Sequence, residues 1–369
     1  MPSISSFFVT LTVLLNCYGI ASGRNATEVF RAQADIVASP TLTEKLILVT
    51  SADSICYALS RSDYSVVWQY KSLSPLRTSA LIIDTCVYLE TDNAITCIGL
   101  SDGKFIWRSP DNICTQTSEV DRWDYHRSQP VFHDGIIYCG DDFGWVYGTD
   151  LEGKRVFEFH TGNFAPVRSS VAFYENTMFF ADWEGTLYGY GLKEDSILFS
   201  FKSIIEKPYD NYGAAFTPIV VGKEVLVWGG RTSTLHGYDY RSRLSRWRAS
   251  DTQESWFSGT PVLYDNNLLI GTSDSKMLYC YVANSGQMKW SRVLDQNCFS
   301  APLVTKKEII ACDGNAYEDG YGIIYFMSKY NGTIMERITV KGSIFSTPVE
   351  LDKKTIIVGT LGGFLYKID

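Results

Sequence analysis

The sequence predicts an all-β protein, an eight-bladed β-propeller whose last blade is completed by a strand from the N-terminus. Three observations carry that reading: a recurring Ser/Thr-(x)-Pro step, a block of four short strand-like runs after each step, and a final block that lacks its fourth run. Aligned on the step, the chain has anchors at Pro40, Ala80, Pro130, Ser170, Pro218, Pro261, Pro302 and Pro348, on average about 44 residues apart. A period of that size with four strands per unit belongs to propeller blades, whereas helical repeats of similar length show a 3.6-residue pattern. No amphipathic helical pattern occurs.

The clearest unit is 256–293. It reads Phe257-Ser258-Gly259-Thr260-Pro261-Val262-Leu263, Leu268-Leu269-Ile270-Gly271-Thr272, Met277-Leu278-Tyr279-Cys280-Tyr281 and Gly286-Gln287-Met288-Lys289-Trp290, parted by Asn, Asp, Ser and Gly. Short aromatic and β-branched runs bounded by turn residues form antiparallel meanders. One meander cannot bury both of its faces and needs neighbours of its own kind. Other units repeat the second and third runs, as in Leu46-Ile47-Leu48-Val49 with Ile55-Cys56-Tyr57-Ala58-Leu59. The fourth run carries an aromatic in six units: Trp68, Trp107, Phe157, Phe199, Trp247 and Trp290. Its turns include Tyr330-Asn331-Gly332-Thr333, where Asn-Gly supplies the positive φ of a tight hairpin. The eighth unit ends at Phe364-Leu365-Tyr366-Lys367-Ile368, and Ala26 to Ala32 precedes the first anchor as other outer runs precede theirs. Closing the ring with that strand removes exposed sheet edges.

The expected organisation is a secretory signal over residues 1–23 and a single propeller over 24–369. Its blades open near 37, 77, 126, 167, 213, 256, 298 and 344. Phe7 to Ala21 is apolar, too short for a membrane span and followed by small residues, although the first basic residue is Arg24. The expected location is outside the cell or in a secretory lumen, or the cytoplasm if that segment is not a signal. Asn25 and Asn331 head glycosylation triplets. Nine cysteines fall to eight without Cys17, and Cys86 with Cys97, and Cys298 with Cys312, are candidate bridges; buried thiols are the alternative. The net charge of −8 and pI near 5.2 exclude a nucleic-acid surface.

The run Tyr-Ala-Leu, turn, Gly-Lys, two residues, Trp resembles the repeat of pyrroloquinoline-quinone (PQQ) propellers, A-x-D-x-x-T-G-K-x-x-W. It is visible from Tyr57 to Trp68, Cys97 to Trp107 and Cys280 to Trp290, and the resemblance covers residues 26–369. Phe345-Ser346-Thr347-Pro348-Val349 and Ile356-Ile357-Val358-Gly359 look most like the C-terminal propeller of β-alanine-activating (aminoadipate-semialdehyde dehydrogenase-like) enzymes. The resemblance implies the propeller fold. PQQ enzymes also need calcium on carboxylate and amide oxygens, an Asp base, an aromatic floor and, in many, vicinal cysteines. This chain has no vicinal cysteines, and Asp313-Gly314-Asn315 and Glu318-Asp319-Gly320 lack EF-hand spacing. Neither PQQ nor calcium is expected as a cofactor.

No nucleophile elbow, phosphate loop or CxxC occurs, and His126, His133, His160 and His236 lack metal spacing. Asp141-Asp142 reads as a polar turn before an acid–base pair. Meander geometry puts links between blades and second-to-third-strand turns on one face. Three long irregular segments fall there, and loops on a rigid scaffold carry binding. The candidate binding residues are Trp123, Asp124, Tyr125 and His126, then Tyr209, Asp210 and Tyr212, then Tyr317, Asp319 and Tyr321. Asp121 and Glu318 add to an acidic face suited to basic or polar partners. The expected function is non-enzymatic binding of a protein or peptide on that face. The alternatives are a detached propeller of an amino-acid-activating enzyme and a divergent PQQ-dependent oxidoreductase.

Overall fold

The computed structural model describes residues 23–109, 127–203, 213, 215–315 and 320–369. These form eight antiparallel four-stranded sheets, seven of consecutive strands and one composite. Blade one shows the pattern: Thr41–Leu42, Leu46–Thr50, Ile55–Ser60 and Val66–Lys71, from the axis outward. The eighth sheet has Val349–Glu350, Ile356–Gly359 and Phe364–Ile368 on the inside and Ala26–Arg31 as its outer strand. Ala26 pairs with Ile368 and Arg31 with Phe364, so the N-terminal strand closes the ring as the sequence predicts.

Middle strands are buried on both faces because blades pack on each side of every sheet, which explains their near-continuous apolar runs. Outer strands alternate, with one residue in two turned to a neighbour. In every blade from one to seven the pairing of third and fourth strands shifts by one residue, for example after Ala58 and after Gly237. Such bulges sharpen the local twist.

Just before the bulge, a small residue lies opposite the outer aromatic: Ala58 opposite Trp68, Cys97 opposite Trp107, Gly237 opposite Trp247 and Cys280 opposite Trp290. The small side chain lets the indole lie flat on its own sheet, and a Cβ on Gly237 would collide with Trp247. The indole's outer face meets a turn glycine of the next blade. A Cβ on Gly103 would come 2.5 Å from Trp68, and one on Gly332 would come 2.5 Å from Trp290. Both glycines are at positive φ, so each position requires the residue on two counts. Indole N–H groups then donate across the blade boundary: Trp68 to the Leu100 carbonyl at 2.9 Å, Trp107 to Leu151 at 3.1 Å and Trp247 to Ala283 at 2.8 Å. Where phenylalanine replaces tryptophan, ring contacts take over, Phe157 meeting Tyr190 at 5.2 Å and Phe199 meeting Tyr238 at 5.5 Å. At the seam, Phe30 of the closing strand meets Tyr57 of blade one at 5.0 Å.

Of the two alternatives for these cysteines, the structure carries free thiols. Cys86, Cys97, Cys298 and Cys312 all carry free thiols. Cys86 pairs with Gly99 and Cys97 with Tyr88, so the first pair sits diagonally across its strands rather than face to face. Cys298 lies in a link, not on a strand beside Cys312, and its sulfur turns toward Gly271 of blade six. Burial pushes the Cys56 and Cys298 thiols up to about 12. Cys17 and Cys114 lie outside the described residues.

Deleting residues 24–34 should expose the edge of Phe364–Ile368 and cause aggregation or a large loss of stability, measured by size-exclusion chromatography and thermal melting. A monomeric deletion variant with an unchanged melting temperature would contradict closure by this strand. Trp290 is 8 % exposed and seated between two blades. Trp290→Ala should therefore cost roughly 3–5 kcal/mol in denaturant titration.

Candidate functional site

Inter-blade links and second-to-third-strand turns do share one face, held there by main-chain bonds. The Leu76 N–H donates to Ser51, Val167 to Asp141, Trp183 to Pro166, Phe257 to Thr232 and Cys298 to Thr272, at 2.7–3.1 Å. Each bond ties a link to a turn on that face.

At its centre is a cavity of about 220 Å³ lined by residues from all eight blades. Its wall is set by one repeat position, immediately ahead of the inner strand. Blades two to four place Arg77, Arg127 and Arg168 there, while blades seven and eight place Phe299 and Phe345. Arg77, Arg127, Phe299 and Phe345 line the cavity, and the two phenylalanines stack at 5.1 Å. The mouth is cationic on one side and aromatic on the other.

Asp142, in the turn of blade three, joins two of these arginines. Arg168 donates Nε–H to it at 2.9 Å, and Arg127 pairs with both of its carboxylate oxygens. The side chains of Arg168 and Asp142 are each 4 % exposed, a buried pair whose geometry must offset its desolvation. The Asp142 N–H donates to the Asn93 amide oxygen at 3.0 Å, and the Asn93 N–H donates to Glu90 at 3.1 Å. Burial pushes the Glu90 carboxyl up to about 7, with Arg127 pulling the other way. The Arg168 guanidinium lies 4.5 Å over the Trp183 ring, and Arg231 lies 5.7 Å from Trp183 and 5.8 Å from Trp256. Gly213 supports the same cluster: its carbonyl accepts the Arg231 N–H at 2.7 Å, and a Cβ there would come 2.8 Å from Trp183.

Further out on blade three is an exposed aromatic group. Trp145 is 38 % and Phe164 73 % exposed, with the His160 ring between them at 4.6 and 4.7 Å. His160 accepts the Gly162 N–H on Nδ1 and places Nε2 3.1 Å from the Phe143 carbonyl, the neutral tautomer with Nε2–H donating. Phe164 holds φ +57°, an uncommon conformation for a bulky residue.

Of the sequence-predicted binding residues, Tyr321 is described. It opens the strand Tyr321–Ser328 of blade seven, 45 % exposed, and its carbonyl accepts the Gln296 amide at 2.8 Å. Trp123, Asp124, Tyr125, His126, Tyr209, Asp210, Tyr212, Tyr317 and Asp319 lie outside the described residues, as do Asp121 and Glu318. Asn25 and Asn331 are both exposed. Asp141-Asp142 is a structural turn: Asp141 accepts the Phe143 and Trp145 N–H groups at 2.8 Å while Asp142 serves the arginines. His133 stacks on Phe173 at 4.0 Å and His236 is buried, so the described histidines do not converge.

Sequence reasoning missed Arg127, Arg168, Arg231, Trp183, Trp256 and Glu90. A signal existed for two of them, since arginine precedes the inner strand in three successive blades. The tryptophans and Glu90 gave none, because their neighbours come from other blades.

Among the described residues no three His, Cys, Asp or Glu side chains converge on one point. Asp142 is held by guanidinium groups, and both oxygens of the buried Asp313 are engaged by the Ile323 and Gln296 N–H groups and the Tyr325 hydroxyl.

A family model described as outer membrane protein assembly factor BamB, a PQQ-repeat family, matches residues 6–155 and 231–369. The chain belongs to that family. No curated protein matches it. BamB from Moraxella catarrhalis superposes with a TM-score of 0.71 at 14% identity, over 94% of this chain and 100% of that one. Quinohemoprotein alcohol dehydrogenase from Comamonas testosteroni gives 0.73 at 10% identity, over 96% of this chain and 78% of that one. A computationally designed protein, Ika8, gives 0.72 at 15% identity, over 92% and 98%. At such identities the structural matches establish the propeller fold. The finer resemblance to β-alanine-activating enzymes draws no support from them.

Glu90 gives this site a pH signature. Its carboxyl titrates near 7 when folded and near the ordinary value when unfolded, so the folded state binds the extra proton between those limits. Its contribution is full below about pH 4 and is lost as pH rises through about 7. Glu90→Gln should flatten the fall in melting temperature between pH 5 and 8, and should stabilise the protein relative to wild type at pH 8. An unchanged pH profile would show that Glu90 ionises freely.

Proposed function

We propose that this protein is a non-catalytic propeller that binds a protein or peptide partner on the link face, across blades three to five. The observation that carries the proposal is the composition of that face. Arg77 and Arg127 line the cavity, the buried Arg168 and Arg231 stack on Trp183 and Trp256, and Trp145 and Phe164 stand exposed further out on blade three. Arg, Trp and other large aromatics dominate binding hot spots, because they bury much area while ordering few torsions. A strained, exposed Phe164 is an expensive feature for a residue with no partner to meet. The family description, an assembly factor, supports a protein partner. The alternative of a divergent PQQ-dependent oxidoreductase draws no support from Asp142 and Asp313, whose carboxylates serve structural bonds.

A secretory or extracellular location is part of the same reading. It rests on the apolar run Phe7 to Ala21 and on the exposure of Asn25 and Asn331. Among the described residues no helix is long and apolar enough to cross a membrane.

The test is partner capture from native extract by immobilised wild type, Trp145→Ala, Phe164→Ala and a control, Lys154→Ala, in a turn on the opposite face. The two aromatic variants should fold normally and weaken capture of the same identified partner about tenfold or more, the range of hot-spot truncations. Loss in the control alone would assign binding to the other face. Capture by no variant would remove the binding reading.

A further inference from the structure

Arg24 precedes the closing strand Ala26–Arg31 and crosses from blade eight to blade seven. Its guanidinium lies 3.7 Å above the Phe326 ring, donates Nη2–H to Glu308 at 2.7 Å and places Nη1 3.5 Å from Glu336. Its main-chain N–H donates to the other Glu336 oxygen at 3.0 Å. Both carboxylates are largely buried, at 13% and 16% exposure. Gly23 is the opposite: exposed, with nothing within 4 Å of where a side chain would begin. The Arg24 nitrogen thus faces a carboxylate, while Gly23 stands exposed.

The sequence marks the same bond independently. Ala21 and Gly23 put small residues at the third and first positions before it, after an apolar run, the pattern that processing peptidases of the secretory route recognise. We propose that the Gly23–Arg24 bond is the processing site, and that the α-ammonium released on Arg24 pairs with Glu336 to latch blade eight onto blade seven. The inference rests on the secretory reading above. The step is a hydrolysis by a signal-type peptidase. Water adds across the peptide bond, Gly23 leaves with a carboxylate, and the Arg24 amide becomes an ammonium. A bond in which only the carboxylate is ionised is thereby replaced by one in which donor and acceptor are both ionised. Cleavage then strengthens ring closure as well as removing the leader.

Two measurements test this. The N-terminus of protein recovered from secreting cells should be Arg24 by mass spectrometry. An unprocessed chain would overturn both this proposal and the secretory reading, whereas cleavage at another bond would overturn this proposal alone. In the second, protein released from a cleavable fusion with Arg24 as its true N-terminus is compared with protein that retains Gly23. The Arg24 form should melt about 1–3 °C higher, and that difference should vanish in Glu336→Gln. Acetylating the α-amine of Arg24 should lower the melting temperature to that of the Gly23 form without any mutation. An equal difference with and without Glu336, or no difference in wild type, would overturn the latch.

Discussion

Blade-to-blade contact through the outer aromatic is the interaction on which the rest of the structure depends. A four-stranded meander has two apolar faces and no way to bury either alone. Trp68, Trp107, Trp247 and Trp290 each span a boundary, lying on a small residue of their own sheet and against a turn glycine of the next. The bulge that follows the small residue turns the strand so that the ring points across the gap. This arrangement needs three things at fixed spacing: a residue without bulk, a large planar ring, and a glycine one blade on. Where the ring becomes phenylalanine, in blades three and four, the next blade answers with Tyr190 and Tyr238, and the indole hydrogen bond is replaced by aromatic contact.

A ring made this way has one seam, and its chemistry differs from that of the other boundaries. Blade eight meets blade seven through the apolar cluster of Ile310, Ile324, Ile338, Phe364 and Tyr366, with Arg24 set over Phe326 at the edge. Blade eight meets blade one through Phe30 and Tyr57. Strand pairing supplies the remaining closure, since Ala26 to Arg31 covers the edge that Phe364 to Ile368 would present to solvent.

The same rigid frame gives the link face its character. Because links among the described residues are tied to turns by main-chain bonds, the residues ahead of the inner strands converge on the axis in a fixed order. Three arginines on one side and a phenylalanine pair on the other follow from which blades carry which residue. The buried Arg168–Asp142 pair and Glu90 are then local costs that the surrounding packing sustains. Their carboxylates are committed to arginines and main-chain groups.

The sequence by itself determined the architecture. Strand runs, turn glycines and outer aromatics recur at a regular period, and each is a local requirement of one blade, so eight units and the composite last blade were legible without coordinates. It also placed links and second-to-third-strand turns on one face, because that follows from antiparallel connectivity alone. It did not decide the thiols. Cys86 and Cys97 do lie on adjacent strands, but whether they meet face to face depends on a register offset of two residues, which pairing sets and composition does not. Nor did it reveal the mouth. Glu90, Arg127, Arg168, Trp183, Arg231 and Trp256 come from blades two to six, and packing of each blade on its neighbour brings them into contact. Residues that meet across blades leave no short-range signal, and that is why the fold could be read from the chain and this cluster could not.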